Sequence, residues 1–516
     1  MIRIGIDVGG TNTDAVLMDG SRIVGSCKVP TAEHVTDGIA SAIRKLLSDT
    51  SAASEPIDSV VIGTTHFINA LVEANSLAGT AVVRLGLPAT SGVPPLSGWP
   101  EQLTNAMRAA TFLCHGGHEI DGRPISKVRP DEIRAAAECA AQQGISSFAL
   151  SSVYSPVSQD SELAARQIIL DTLPHARVTM SHEVGRIGLL ERENATAINA
   201  ALADLAISIC EGLQTAVTAA GVSAPLFLSQ NDGTLMTVDR AASFPVLTFA
   251  SGPTNSMRGA AFLSGLEECG VVDVGGTTSD FGIIHNGFPR EASTAVDVSG
   301  VRTNFRMPDV IAIGIGGGSR VSDTGEVGPA SVGYELTRKA LVFGGSTRTA
   351  SDIATARGLI SLGDPSLVKH IRTDFTDVVF DHIRSRMADA LDRLRTDSQP
   401  LPLVAVGGGS FLVPDMIPGV SKVARPAHSE VANAIGAATA QIGGEVDRMC
   451  SITAGTRDSV IDEAKNEAVD SAVRAGADPR SVRIVEVDEV PLAYLPGNAT
   501  RLRIKAIGDA RVHAGL

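Results

Sequence analysis

Two eight-residue stretches, DVGGTNTD at 7–14 and DVGGTTSD at 273–280, carry residue types suited to holding a polyphosphate. In each, a glycine pair without Cβ atoms (Gly9 and Gly10; Gly275 and Gly276) lets backbone N–H groups crowd around an oxyanion. Thr11, Thr13, Thr277, Thr278 and Ser279 add hydroxyl donors. Asp7 and Asp273 end apolar runs, where an unpaired carboxylate is costly and calls for a cation or a shell of water. Mg²⁺ held through water is the natural companion of a polyphosphate at such a place. Either stretch alone reads equally well as an ordinary hairpin turn with a capping Asp and Thr. Two copies facing each other favour the phosphate reading.

Two further turns echo one another. IGIGGGS at 313–319 and VAVGGGS at 404–410 each empty an apolar run into three glycines. Neither a G-x-G-x-x-G nor a G-x-x-x-x-G-K-[ST] pattern opens a helix, so Rossmann and P-loop chemistry are not indicated. Other polar groupings are less specific. His66, with Asn69 and Glu73 on one helical face, faces a cleft or is simply a satisfied helix-start histidine. Glu191, Arg192, Asn194 and Thr196 open an apolar helix, where capping and ion pairing account for much of their presence. Cys114, His115 and His118 in CHGGHEIDG suggest zinc, but two glycines, an Asp-Gly turn and the lack of a fourth ligand favour a loop. Arg302, Asn304 and Arg306 alternate along GVRTNFRMPD and would share one face of a strand, for an anion or an exposed edge.

The elements that position the two stretches repeat as well. IRIGIDVGG TNTDAVLMDG SRIVGSCKVP predicts a three-stranded meander, followed by a helix at 33–48, a strand at 60–65 and a helix at 66–75. A loop at 88–100 precedes a helix at 130–142, a strand at 145–154, a helix at 159–172 and a strand near 176–181. A long helix at 190–220, a strand at 225–230 and a helix near 254–265 then lead into GVVDVGGTTSDFGIIHNGFPR, a second meander. The tail changes character, with a charged helix at 456–475 and two alternating strands. The expected organisation is an N-terminal lobe at 1–180, a second lobe at 181–445 and a small α+β appendage at 446–516.

At 516 residues the chain exceeds a single hydrophobic core. With 44% hydrophobic and 19% charged residues it reads as ordinary globular protein. A net charge of −14 disfavours nucleic acid and anionic membrane as partners. Six scattered cysteines argue against a disulfide framework, and the opening MIRIGID lacks a signal core, so a cytoplasmic protein is expected.

Two D-x-G-G-T hairpins plus a later strand ending in three glycines resemble the actin, sugar-kinase and Hsp70 ATPase superfamily. The fold class implied is α/β: two ribonuclease-H-like domains closing on ATP in an interdomain cleft. More specifically the chain resembles the hydantoinase A/oxoprolinase family, through GIDVGGTNTDAVL, GTTHFINALVE (63–73), SHEVGRIGLLERENATAINAAL (181–202), QNDGTLM (230–236), SGPTNS (251–256), DVGGTTSD and IGIGGGS, in order. Better-known members read G-G-T-F-T-D at the first hairpin, S-N-G-G for QNDG and S-G-P-A-G-G for SGPTNS. These departures bear on substrate more than fold and mark a divergent subgroup.

The resemblance implies ATP-dependent opening of a cyclic amide such as a hydantoin, lactam or oxoproline, by phosphorylating the amide oxygen, with a second polypeptide completing hydrolysis. Carried over, Asp7, Asp273 and Asp280 become the catalytic carboxylates, and Asp7, Asp14 and Asp273 the Mg²⁺ group. The two hairpins hold the phosphates, while Gly316, Gly317 and Gly318, or Gly407, Gly408 and Gly409, border the adenosine. Asp14 and Asp280 read equally as satisfied hairpin residues. A small-molecule kinase and a non-catalytic actin-like ATP switch are the competing functions, and self-association is left open.

Overall fold

The computed structural model describes residues 1–9, 12–30, 35–50, 56–292, 295–452, 455–492 and 499–511. The repeat expected from sequence is present in strand pairing. Ile2–Val8 pairs antiparallel with Asn12–Asp19 on one side and parallel with Ser59–Thr64 on the other. Cys269–Val274 pairs antiparallel with Ser279–His285 and parallel with Leu401–Val406. Each lobe thus has the hairpin-then-parallel order of a ribonuclease-H-like sheet, and the molecule is α/β.

The first sheet is larger than expected. Its nine strands run Arg483–Pro491, Ala499–Gly508, Gln441–Ser451, Thr234–Thr237, Leu226–Ser229, Ser59–Thr64, Ile2–Val8, Asn12–Asp19 and Arg22–Pro30. The described strands of 446–516, a region expected to stand apart, therefore extend the first lobe's sheet. The cause is an open edge: Thr234–Thr237 pairs parallel with Gln441 and Ile442, and the antiparallel strands follow. The apolar face of the extension is closed by helix Arg457–Arg474, whose Ile461, Ala464, Ala468 and Ala472 pack on Leu502, Ile504 and Ala506. Strands from 226 to 237, expected in the second lobe, also join this first sheet.

Residues 80–180 form a separate four-stranded parallel sheet in the order Ala110–His115, Thr80–Leu87, Ser147–Ser152, Arg177–Met180. It is tied to helix Leu189–Ala201 by a fully buried ion pair, Arg84 to Glu193 at 2.5 Å. The helix expected at 190–220 is two helices, Leu189–Ala201 and Ala203–Ala219, bent by 55°.

Between the two main sheets lie helices Ser251–Ser264 and Ala432–Thr439. The first packs Met257 and Ala260 on Val271, Val404 and Val406; the second packs Ala434, Ile435 and Ala438 on Val16 and Met18. They cross closely because small residues line the contact. A Cβ at Gly259 would lie 1.9 Å from the Ala432 carbonyl oxygen, and one at Gly436 1.8 Å from that of Asn255.

Candidate functional site

The two hairpins are matched in register as well as sequence. Asp7 lies across from Asp14 and Asp273 across from Asp280. Gly9 N–H donates to the Asn12 carbonyl at 3.0 Å, and Gly275 N–H to that of Thr278 at 2.9 Å. Gly275, Gly276, Thr277 and Thr278 are exposed, so the second tip is open to a ligand. Gly10 and Thr11 lie outside the described residues.

One helix holds both lobes' carboxylates. Asn255 Nδ2 donates to Asp7 Oδ1 at 3.3 Å, and the adjacent Ser256 Oγ donates to Asp273 Oδ2 at 2.5 Å. Asn433, on the crossing helix, donates to Asp7 Oδ2 at 2.9 Å. None of these three was singled out from sequence, although the departure of SGPTNS from the family pattern falls on Asn255 and Ser256. Glycine opposite each carboxylate makes room. A Cβ at Gly63 would lie 2.6 Å from Asp7 Oδ1, and one at Gly407, whose φ is +86°, would lie 2.2 Å from Asp273 Oδ1.

Burial dominates the electrostatics. It raises the Asp7 carboxyl to about 7, against the lowering effect of Asn255 and with additional repulsion from Asp14 and Asp273. Burial raises Asp280 to about 7, helped by Asp273, and it raises Asp273 as well. Neither Asp7 nor Asp273 has a cationic side chain at ion-pair distance among the described residues. Asp14 differs, because Lys28 Nζ lies 3.1 Å from its Oδ1 and supplies the countercharge. The buried Thr13 hydroxyl has no hydrogen-bond partner among the described residues.

These features fit a hydrated cation with phosphate: two carboxylates without an ion pair and an open glycine tip. Direct ligation by protein alone does not fit. Among the described residues no group of three or more His, Cys, Asp or Glu is placed to hold a metal.

The glycine triplets brace the second hairpin. Gly317 and Gly318 N–H donate to the carbonyls of Gly275 and Gly276 at 3.0 and 2.7 Å, and Gly316 N–H donates to Ser319 Oγ at 2.8 Å. All three are buried, so their amides are committed within the protein. Gly409 N–H donates to Val274 O at 2.8 Å and Gly407 N–H to Ser429 O at 2.9 Å, whereas Gly408 is exposed with open space beside it.

Of the weaker candidates, His66 is near the first hairpin, since Ser59–Thr64 aligns Gly63 with Asp7 and Thr64 with Val8. Its Nδ1 lies 2.6 Å from Thr64 Oγ1. The loop at 114–122 disperses its ligands: His115 meets Glu132 at 2.8 Å, His118 meets Ser158 at 3.2 Å, and Cys114 is buried. Arg302, Asn304 and Arg306 do not share a strand face, since the strand is only Val301–Thr303. Arg302 pairs with Glu191, Asn304 binds Arg186 N–H and Gly188 O, and Arg306 pairs with Glu445. Arg192 donates into a buried network with Ser181 Oγ and the Ser152 carbonyl, and Asn194 binds Trp99 and Arg302. Thr196 Oγ1 donates back to the Arg192 carbonyl at 2.7 Å. This polar helix start is thus structural.

Comparison with known proteins agrees with the fold. The chain is 27% identical over 417 residues to caprolactamase subunit alpha of Pseudomonas jessenii, covering 75% of this chain and 59% of that one. It is 26% identical over 399 residues to acetophenone carboxylase gamma subunit of Aromatoleum aromaticum, covering 69% and 53%. The chain thus spans little more than half the length of these relatives. A crystal structure of ATP-dependent caprolactamase from P. jessenii superposes with TM-score 0.77 at 19% identity, over 99% of this chain and 88% of that chain. A nucleotide-free acetone carboxylase structure superposes with TM-score 0.67 at 16% identity, over 99% and 88%. Sequence models of the hydantoinase/oxoprolinase N-terminal region and of hydantoinase/oxoprolinase match residues 3–173 and 192–364. The chain belongs to the hydantoinase/oxoprolinase family.

Proposed function

We propose that this chain is the ATP-using component of a two-component cytoplasmic enzyme that opens a cyclic amide. The observation that carries this reading is the convergence of Asp7 and Asp273, from opposite lobes, on Asn255 and Ser256 of one helix. The similarity to caprolactamase subunit alpha supports the amide as substrate class and a second subunit as partner.

In this reading Gly9, Gly10, Thr11 and Thr13 of the first hairpin and Gly275, Gly276, Thr277 and Thr278 of the second donate to phosphate oxygens. Asp7 and Asp273 hold Mg²⁺ through water, with Asp14 and Asp280 supporting them across each hairpin. Bound Mg·ATP supplies a transferable phosphoryl group, and the protein's part is positioning and charge neutralisation. Gly408, exposed next to Gly407, borders the nucleotide, while the other triplet glycines hold the hairpin in shape.

Product analysis tests the proposal. The protein with its partner subunit is incubated with ATP and hydantoin, ε-caprolactam or 5-oxoproline. ADP and ring-opened acid in equal amounts support it. A stable phosphate ester indicates a kinase, bicarbonate-dependent carboxylation indicates chemistry like that named for the carboxylase relatives, and no substrate-dependent ADP refutes it.

A further inference from the structure

Among the described residues Lys28 is the only Lys, Arg or His at ion-pair distance from any of Asp7, Asp14, Asp273 and Asp280; its Nζ lies 3.1 Å from Asp14 Oδ1. Strand register places it there. Lys28, on Arg22–Pro30, is directly opposite Asp14, Asp14 is opposite Asp7, and Asp7 is opposite Gly63. Residues paired in this way point to the same face of a sheet, so an ammonium, two carboxylates and a glycine gap form one row across four strands.

The ammonium is held from the second lobe's side as well. It donates to the Glu430 carbonyl at 3.3 Å, and the adjoining Ser429 carbonyl accepts from Gly407 N–H at 2.9 Å. Gly407 in turn lies so near Asp273 that a Cβ on it would be 2.2 Å from Oδ1. Lys28 thus touches the short segment Ser429–Val431 that also holds Gly407 beside the other lobe's carboxylate. Its side chain is nevertheless 39% exposed, against 8% for Asp14, so a solute can reach it. An ammonium has three N–H donors, and among the described residues Asp14 and Glu430 account for two.

We infer that Lys28 binds the terminal phosphate of the nucleotide and so sets a preference for ATP over ADP, an inference that rests on the two-hairpin reading above. In that reading Gly408 of the second lobe borders the nucleotide, so the triphosphate runs towards the first lobe and its last phosphate comes to the first hairpin, on whose flank Lys28 stands. ADP is one phosphate short of it. A terminal phosphate carries a charge of about −1.5 to −2 near pH 7, and the hydrated Mg²⁺ beside it is shared with two carboxylates. A charge-assisted N–H to a phosphate oxygen supplies the missing positive charge, and rotation of a flexible lysine stem is enough to deliver it.

Calorimetric titration with Mg·ATP and with Mg·ADP tests this, in the wild-type chain and in an Asp14→Asn background that has already lost the ion pair. Lys28→Gln is expected to lower ATP affinity at least 10-fold and to leave ADP affinity within 3-fold. Added to Asp14→Asn, it is expected to lower ATP affinity by the same factor again. This double variant also carries the test if Lys28→Gln alone fails to fold, because it buries no unpaired carboxylate at Asp14. An undiminished ATP preference, equal loss of ATP and ADP, or no further loss in the Asp14→Asn background overturns the inference and leaves Lys28 as the countercharge of Asp14. An ATP preference that depends on Lys28, in a chain that with its partner subunit releases no ADP with any cyclic amide, supports the inference and sinks the ring-opening reading. A wild-type chain that binds neither nucleotide overturns both.

Discussion

Asn255 and Ser256 are neighbours in the chain, yet they hand their side chains to carboxylates of different lobes, Asp7 at 3.3 Å and Asp273 at 2.5 Å. One helix therefore senses both hairpins. A shift of either lobe changes a hydrogen bond to a buried carboxylate, where such bonds matter most.

Gly63 is required for that arrangement. In Gly63→Ala the new methyl would lie 2.3 Å from Asn255 Nδ2 and 2.6 Å from Asp7 Oδ1. A shift that relieves this overpacking is expected to cost about 1–3 kcal/mol. Differential scanning calorimetry should show a lowered Tm and titration a weakened affinity for Mg·ATP; unchanged values for both would contradict the described contact.

Asp7 and Asp280 each have their carboxyl raised from 3.8 to about 7. They bind protons more tightly folded than unfolded, so their contribution favours the folded state at low pH and is lost as pH rises from about 4 to about 7. A bound cation favours the ionised form. Mg·ATP affinity should therefore increase as pH rises through 7, with proton release at pH 6. Calorimetry in two buffers of different ionisation heat measures this, and proton uptake would reverse the account.

The Arg84 and Glu193 pair, each side chain 1% exposed, locks the four-stranded sheet to helix Leu189–Ala201. Arg84→Met leaves a buried carboxylate without its cation, a loss expected to cost about 3–5 kcal/mol. Urea unfolding of the two proteins gives the difference; less than 1 kcal/mol would refute the expectation.

Truncation after residue 445 tests the enlarged first sheet. Removal of Arg457–Arg474 and the strands around Ala499–Gly508 exposes an edge and a face of apolar residues. Aggregated or insoluble protein is expected. A soluble, monomeric fragment with an unchanged melting profile would restore the tail as an independent appendage.

The contrast between what was and was not legible follows from range. Both hairpins were legible because a glycine pair between β-branched runs, with Asp and Thr at its ends, is a local signal. The ribonuclease-H-like order followed from repetition of that signal. Asn433 was not legible, since its role depends on a helix crossing set by Gly259 and Gly436, far apart in sequence. The tail was misplaced because alternation in TRLRIKAIG shows that a strand has a buried face but not which sheet it joins. The bracing of the second hairpin by the triplet glycines was not legible, because a ligand and a neighbouring carbonyl make the same demand on backbone, close approach without a Cβ. A polar Asn-Ser pair within a helix otherwise rich in small residues was the available clue to Asn255 and Ser256.

Calorimetric titration of Mg·ATP into the wild-type chain, Asp7→Asn and Asp273→Asn tests the central claim most directly. One nucleotide per chain is predicted, with affinity lowered at least 10-fold by either substitution alone. No binding heat, or two sites of which each substitution abolishes one, would contradict a single nucleotide gripped from both lobes.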